Sequence, residues 1–102
     1  MKIEIERINT QEELLLIVKG QQLNTTTAPQ LEAELGDDLT GLSRLVLDFS
    51  ELGYITSAGL RVVLLAYNKM DDQGGIVVVK GANEEVQGVF NMTGFTDILS
   101  LE

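Results

Sequence analysis

The chain has 102 residues, 44% of them hydrophobic, with sixteen acidic residues against seven basic ones and a formal charge of −9. That is enough sequence for one domain with one packed core, and its charge disfavours a nucleic-acid backbone or an anionic lipid surface as partner. With no cysteine and no histidine, it excludes disulfides, thiolate metal sites and every catalytic scheme built on an imidazole base.

Lys2 to Ile8 alternates polar and apolar residues, the period of a half-buried strand. Asn9-Thr10-Gln11-Glu12 reads as a turn into a second, more buried strand over Leu14–Val18, so the two form a hairpin that Gly20 ends. Asn24-Thr25-Thr26-Thr27 offers several caps ahead of Ala28-Pro29, and the only proline then stands in a helix's first turn, where it is tolerated. Leu31 and Leu35 are expected to face the core of that helix, with Glu32 and Glu34 outward. Gly36 to Ser43 reads as a loop. Leu45-Val46-Leu47-Asp48-Phe49 is a short, nearly continuous apolar strand of the kind found inside a covered sheet.

From Ala58 to about Met70 the pattern is helical, with Leu60, Val63, Leu64 and Tyr67 on one face and Val62 and Leu65 widening it. Gln73-Gly74-Gly75 breaks the helix, and Ile76–Val79 is another interior strand. Asn83 caps a third helix whose first turn carries Glu84 and Glu85, which suit the dipole. It presents Val86, Val89 and Phe90 and stops near Gly94. Phe90, Met92 and Phe95 are expected in the core, and Ile98 to Leu101 as a last short strand. The order β-β-α-β-α-β-α-β implies a mixed sheet with right-handed crossovers in a single α/β domain spanning residues 1–102.

Two features speak to location. Met1–Glu6 alternates charged and apolar groups, unlike a signal peptide, and the longest apolar run, Val62 to Tyr67, is far too short to span a bilayer. The expected setting is the cytoplasm, with no membrane insertion and no direct nucleic-acid binding.

The densest chemistry lies in Tyr54-Ile55-Thr56-Ser57-Ala58-Gly59-Leu60, which follows a strand and opens the most apolar helix. Two hydroxyls at a helix N-terminus stand where free N–H groups and the dipole favour an anion such as phosphate. Ser57 in that place is either a plain cap or a switch whose phosphorylated form the helix stabilises, and the two roles are compatible. Thr56 is a cap, a second acceptor or a residue that orients Ser57. Gly59 either leaves the first turn bare for a partner or packs the helix closely on a strand. Asn24 and the following threonines cap a helix and offer a partner-facing loop. Arg61 is solvated, or pairs with a phosphate or a partner's acid.

Ile55-Thr56-Ser57-Ala58-Gly59-Leu60, the Gly74-Gly75 turn, Phe90-Asn91-Met92-Thr93-Gly94-Phe95 and the earlier Gly20-Gln21-Gln22-Leu23-Asn24 occur in the order found in the STAS domain. Across its whole length the chain resembles the free-standing bacterial anti-sigma factor antagonists of that family. The resemblance implies a partner switch: the unphosphorylated domain binds an anti-sigma factor that is also a serine kinase, and so frees the sigma factor. Phosphorylation of the serine at the start of the second helix, here Ser57, breaks the complex, and a metal-dependent phosphatase restores it. It implies a contact surface of Asn24, Thr25, Thr26, Thr27, Thr56, Ser57, Ala58, Gly59 and Arg61. Two positions depart from the acidic residues of several members: Thr56 precedes the serine, and Asn24 stands in the earlier segment. A phosphate on Ser57 would meet less local repulsion here.

Enzymatic readings find little footing. The turn at Thr56–Gly59 is not a Gly-x-Ser-x-Gly elbow, and no Gly-Lys-Ser/Thr follows Gly74-Gly75 to cradle a nucleotide phosphate. Asp37-Asp38 and Asp71-Asp72 lack the further spaced ligands a metal would need. No cofactor or metal is expected. The competing reading is a non-switching STAS adaptor subunit, bound constitutively to a membrane lipid-transport complex or other transporter, with Ser57 only a cap.

Overall fold

The computed structural model describes residues 3–36 and 39–102. Positions 1 and 2, which open the Met1–Glu6 segment and the Lys2–Ile8 strand, and the Asp37-Asp38 pair within the Gly36–Ser43 loop lie outside the described residues.

The alternating N-terminal segment forms β1 (Glu4–Asn9), which pairs antiparallel with β2 (Glu13–Lys19) through a turn closed by Thr10 and Glu13. The apolar runs make β4 (Arg44–Asp48), which joins parallel to β2, and β6 (Ile76–Lys80), which joins parallel to β4, and β7 (Ser100–Leu101) completes the sheet order β1-β2-β4-β6-β7. The helices are α1 (Ala28–Glu34), α2 (Ser57–Asp72) and α3 (Glu84–Thr93). Each parallel connection steps the same way across the sheet, so right-handed crossovers put all three helices on one face.

Burial follows from that. Leu14, Leu16, Val18, Leu45, Leu47, Val77 and Val79 project from one face of the sheet into a single core with Leu31, Val62, Val63, Ala66, Met70, Val86 and Phe90 from the helices. Among the described residues the opposite face carries no helix. There Ile8, Leu15, Val46 and Val78 lie in register across four strands. Arg44 crosses that face to reach Glu102 at 3.0 Å.

Four expectations shift. The inward face of α2 is Gly59, Val62, Val63, Ala66 and Met70, turned from the expected Leu60, Val63, Leu64 and Tyr67, and Leu64 is 39% exposed. The apolar surface of α2 is wide, so its composition leaves the orientation open; Gly59, where an added Cβ would collide with Leu23 and Ile55, lets the helix backbone come close to the neighbouring strands. Met92 is not core but 88% exposed, whereas Phe90 is fully buried with Phe95 stacked on it at 6.0 Å between ring centres. The last strand shrinks to Ser100–Leu101 because a 3-10 turn over Phe95–Asp97 precedes it. Finally, a small second sheet appears between β3 (Gln22–Leu23) and β5 (Tyr54–Ile55), which pair parallel away from the main sheet.

The contrast between Phe90's neighbours can be checked directly by urea denaturation. Removing a fully buried ring with Phe90→Ala is expected to lower the unfolding free energy by about 3–5 kcal/mol. Met92→Ser, on a side chain that touches mostly solvent, is expected to change it by less than about 0.5 kcal/mol. Equal losses from both would contradict this packing.

Candidate functional site

The small β3–β5 sheet is what brings the two loops of interest together. Leu23 pairs with Ile55, so Asn24 leaves β3 beside the point where Thr56 leaves β5. The Leu23 carbonyl accepts the Thr56 N–H at 2.9 Å and the Thr56 Oγ1–H at 3.2 Å. One strand-length earlier, the Gln21 carbonyl accepts from the N–H groups of both Gly53 and Tyr54, at 2.8 and 2.9 Å.

Gly59 sits against the same carbonyl. A methyl group at that position would stand 2.8 Å from the Leu23 oxygen and 2.7 Å from Ile55 Cγ1. Gly59 is buried, so its role is the close packing of helix on strand. The residues this turn leaves accessible are Ser57 and the half-buried Ala58.

Thr56 occupies the N-cap position with extended backbone, yet its side chain makes no cap hydrogen bond, because the hydroxyl is turned back to Leu23. Ser57 is therefore the first helical residue and not the cap. Its side chain is exposed, and its hydroxyl has no hydrogen-bond partner among the described residues. The N–H groups of Ser57, Ala58 and Gly59 likewise find no acceptor there, the first bond of the helix being Leu60 N–H to the Thr56 carbonyl. No acid stands in the first turn.

The start of α3 is arranged in the opposite way. Asn83 accepts the Val86 N–H at 2.8 Å, and Glu84 and Glu85 lie in the first turn, so that helix satisfies its own positive end. The Asn83 amide also donates to the carbonyls of Leu52 and Gly53, holding the loop that leads into β5. Of the two helix starts, α2 is the one left open to an anion.

The neighbouring loop is built from within. Asn24 Oδ1 accepts the N–H groups of Thr26 and Thr27 at 3.0 and 3.1 Å. Thr27 is fully buried; its hydroxyl donates to the Gln22 carbonyl at 2.8 Å and accepts the Asn24 N–H at 2.9 Å. Thr27 thus shapes the loop from inside, and the side chains it leaves on the surface are Thr25 and Thr26. Arg61, on the outer side of α2, is not simply solvated: it donates to Glu32 Oε1 of α1 at 2.8 Å. Glu34, also expected outward, pairs with Arg7 at 3.2 Å.

In the sequence, Asn24, Thr56 and Ser57 come into one neighbourhood only through the family resemblance. Gln21 and Leu23 act through backbone carbonyls, and Glu32 through a partner on another helix, so none of the three is marked by sequence pattern. Opposite charge on Glu32 and Arg61 was the only signal available for that pair, and it means nothing until the helices are known to touch. Among the described residues no group of acidic side chains could hold a metal ion, and no helix is long and apolar enough to cross a membrane.

The sequence profile of the STAS domain matches residues 4–102. BtrV of Bordetella bronchiseptica, named as an anti-sigma factor antagonist, is 38% identical over 99 residues, covering 96% of this chain and 83% of BtrV. An anti-sigma factor antagonist from Mycobacterium paratuberculosis superposes with a TM-score of 0.82 at 23% identity, covering 97% of this chain and 84% of that one. The Bacillus cell fate determinant SpoIIAA in its phosphorylated form gives a TM-score of 0.74 at 17% identity, covering 98% of this chain and 90% of that one. In its unphosphorylated form SpoIIAA gives 0.75 at 15% identity, over 98% and 86% of the two chains. The solved structures share the fold.

Two substitutions test the geometry of the site in urea or thermal unfolding. Ser57→Asp places an anion at the open helix start and is expected to stabilise by about 0.5 kcal/mol at low salt, a gain that high salt erodes. Thr27→Val removes a buried hydroxyl and strands the Gln22 carbonyl and Asn24 N–H, at an expected cost of about 1–3 kcal/mol. A destabilising Ser57→Asp, or a neutral Thr27→Val, would contradict this description.

Proposed function

Because the chain belongs to the STAS domain family, we propose that it acts as an anti-sigma factor antagonist in a bacterial partner-switching pathway, with Ser57 as the switch. In this reading the unphosphorylated domain binds an anti-sigma factor with serine-kinase activity in the cytoplasm and so releases the sigma factor. The domain is a regulated binding module and not itself a catalyst. The observation that carries the reading is the Ser57 hydroxyl, exposed and without a partner on the first residue of a 16-residue helix.

The chemistry follows from that placement. The kinase transfers the γ-phosphoryl group of a nucleoside triphosphate to Ser57 Oγ. The new Oγ–P bond forms as the bond to the β-phosphate oxygen breaks, and the hydroxyl proton leaves. The product carries about −1.5 to −2 charges and three acceptor oxygens. Within the domain this anion faces the unoccupied N–H groups of Ser57, Ala58 and Gly59 and the positive end of α2. It therefore disturbs the fold little.

A docked partner meets a different situation. Covering Ser57 would bury the dianion, which costs several kcal/mol unless the partner supplies matching charge. A few kcal/mol is a hundredfold or more in affinity. The site can thus switch binding while the domain keeps its shape. Thr25, Thr26, Ala58 and Arg61 complete the contact surface, with Asn24, Thr27, Thr56 and Gly59 holding it in place from behind. A metal-dependent serine phosphatase resets the switch.

The test is affinity capture from a lysate of the source cells, with the captured proteins identified by mass. One bait is unmodified and the other carries phosphoserine at position 57. The unmodified bait is expected to retain a soluble protein with a kinase domain, and the phosphorylated bait to lose it by about a hundredfold in affinity. Retention of the same membrane-transporter subunit by both baits would replace the switch with a constitutive adaptor.

A further inference from the structure

The ion pair between Arg61 and Glu32 joins α2 to α1 beside the proposed switch. Ser57 and Arg61 are one helical turn apart, so their side chains share a face of α2. A long side chain on a helix leans toward the helix N-terminus and covers the turn before its own Cα. From that position the Arg61 side chain can reach the turn that Ser57 opens, although its guanidinium now points to Glu32 of α1. It is 62% exposed, and thus free to swing, and its hold on Glu32 is a single 2.8 Å contact near the surface.

We propose that phosphate on Ser57 takes Arg61 from Glu32, so that modification of α2 unties α1. This rests on the reading of Ser57 as the phosphorylated residue. Three physical comparisons favour the exchange. Phosphate carries about −1.5 to −2 charges against one for the Glu32 carboxylate. Its oxygens match the planar guanidinium fork for a bidentate contact, whereas Glu32 receives one hydrogen bond. An anion one turn N-terminal to a cation on the same helix is also the better of the two orientations.

The exchange has a consequence for the binding surface. Glu32 is left as an unpaired acid on α1, the helix that the Asn24–Thr27 loop leads into. The ionic tie between α1 and α2 is lost, while Arg7 still holds Glu34 to β1. A partner therefore meets two changes on phosphorylation: a dianion on α2, and a freed carboxylate on α1 in place of a neutralised pair. An acidic partner surface that tolerated the ion pair would be repelled twice.

The experiment uses the full chain with phosphoserine installed at position 57 during translation, so that no cellular kinase is needed. The readout is the Arg61 Nε–H resonance in nitrogen-15 NMR, assigned by its loss in Arg61→Gln. In the unmodified chain Glu32→Gln is expected to move this resonance. In the phosphorylated chain the resonance is expected to shift to a new position that Glu32→Gln no longer moves, and phosphatase treatment is expected to return it. A phosphorylated chain in which Glu32→Gln still moves the Arg61 signal, or in which the signal does not shift at all, would overturn the exchange. Either result would leave the reading of Ser57 standing, because that is decided by whether cells phosphorylate it.

Discussion

The geometry of the proposed switch depends on one carbonyl, that of Leu23. It receives the Thr56 N–H and hydroxyl, and Gly59 lies against it closely enough that a side chain there would collide with it. Through these contacts the two-residue strands β3 and β5 fix the end of one loop beside the start of α2. They also consume the hydroxyl that would otherwise cap the helix. Thr56 is at the N-cap position but faces backward, and that leaves the adjacent Ser57 exposed with free N–H groups around it. The availability of Ser57 is thus a consequence of what its neighbour is bonded to.

The two long helices divide the work accordingly. α3 closes its own N-terminus with Asn83, Glu84 and Glu85, and Asn83 reaches back to steady the loop entering β5. α2 keeps its N-terminus unfilled and buries Val62, Val63, Ala66 and Met70 behind it. Capping contributes about 1 kcal/mol, a modest sacrifice against the core that anchors α2. A helix that can do without a cap is one whose start can be given over to regulation. The exposed Arg61–Glu32 pair contributes little to stability on the same scale, so the proposed exchange would cost the fold little.

Much of the fold was legible in the sequence because it rests on local pattern. β4 and β6 are apolar runs bounded by turns, and α3 is spelled out by Asn83 and two acids at one end and Gly94 with positive φ at the other. β3 and β5 were not legible: two residues have no periodicity, and each strand exists only because the other is beside it. The buried face of α2 was misjudged because an apolar surface wider than the contact cannot say which part of it is covered, and the glycine that decides the matter contributes no hydrophobicity. Met92 misled for a related reason, since hydrophobic residues are commonly exposed singly and composition does not mark which. Of the candidate site, Ser57 and its hydroxyl neighbour could be read from position, while the inward roles of Thr27 and Thr56 and the pairing of Arg61 are tertiary facts.

The central claim is that Ser57 is a phosphorylation switch, and the most direct measurement is phosphosite mapping by intact and peptide mass on the protein isolated from its own cells, growing and stressed. The account predicts a single phosphate on the Thr56–Ser57 peptide, located on Ser57, with an occupancy that changes between the two conditions. A peptide that is well covered and unmodified in both conditions would contradict it.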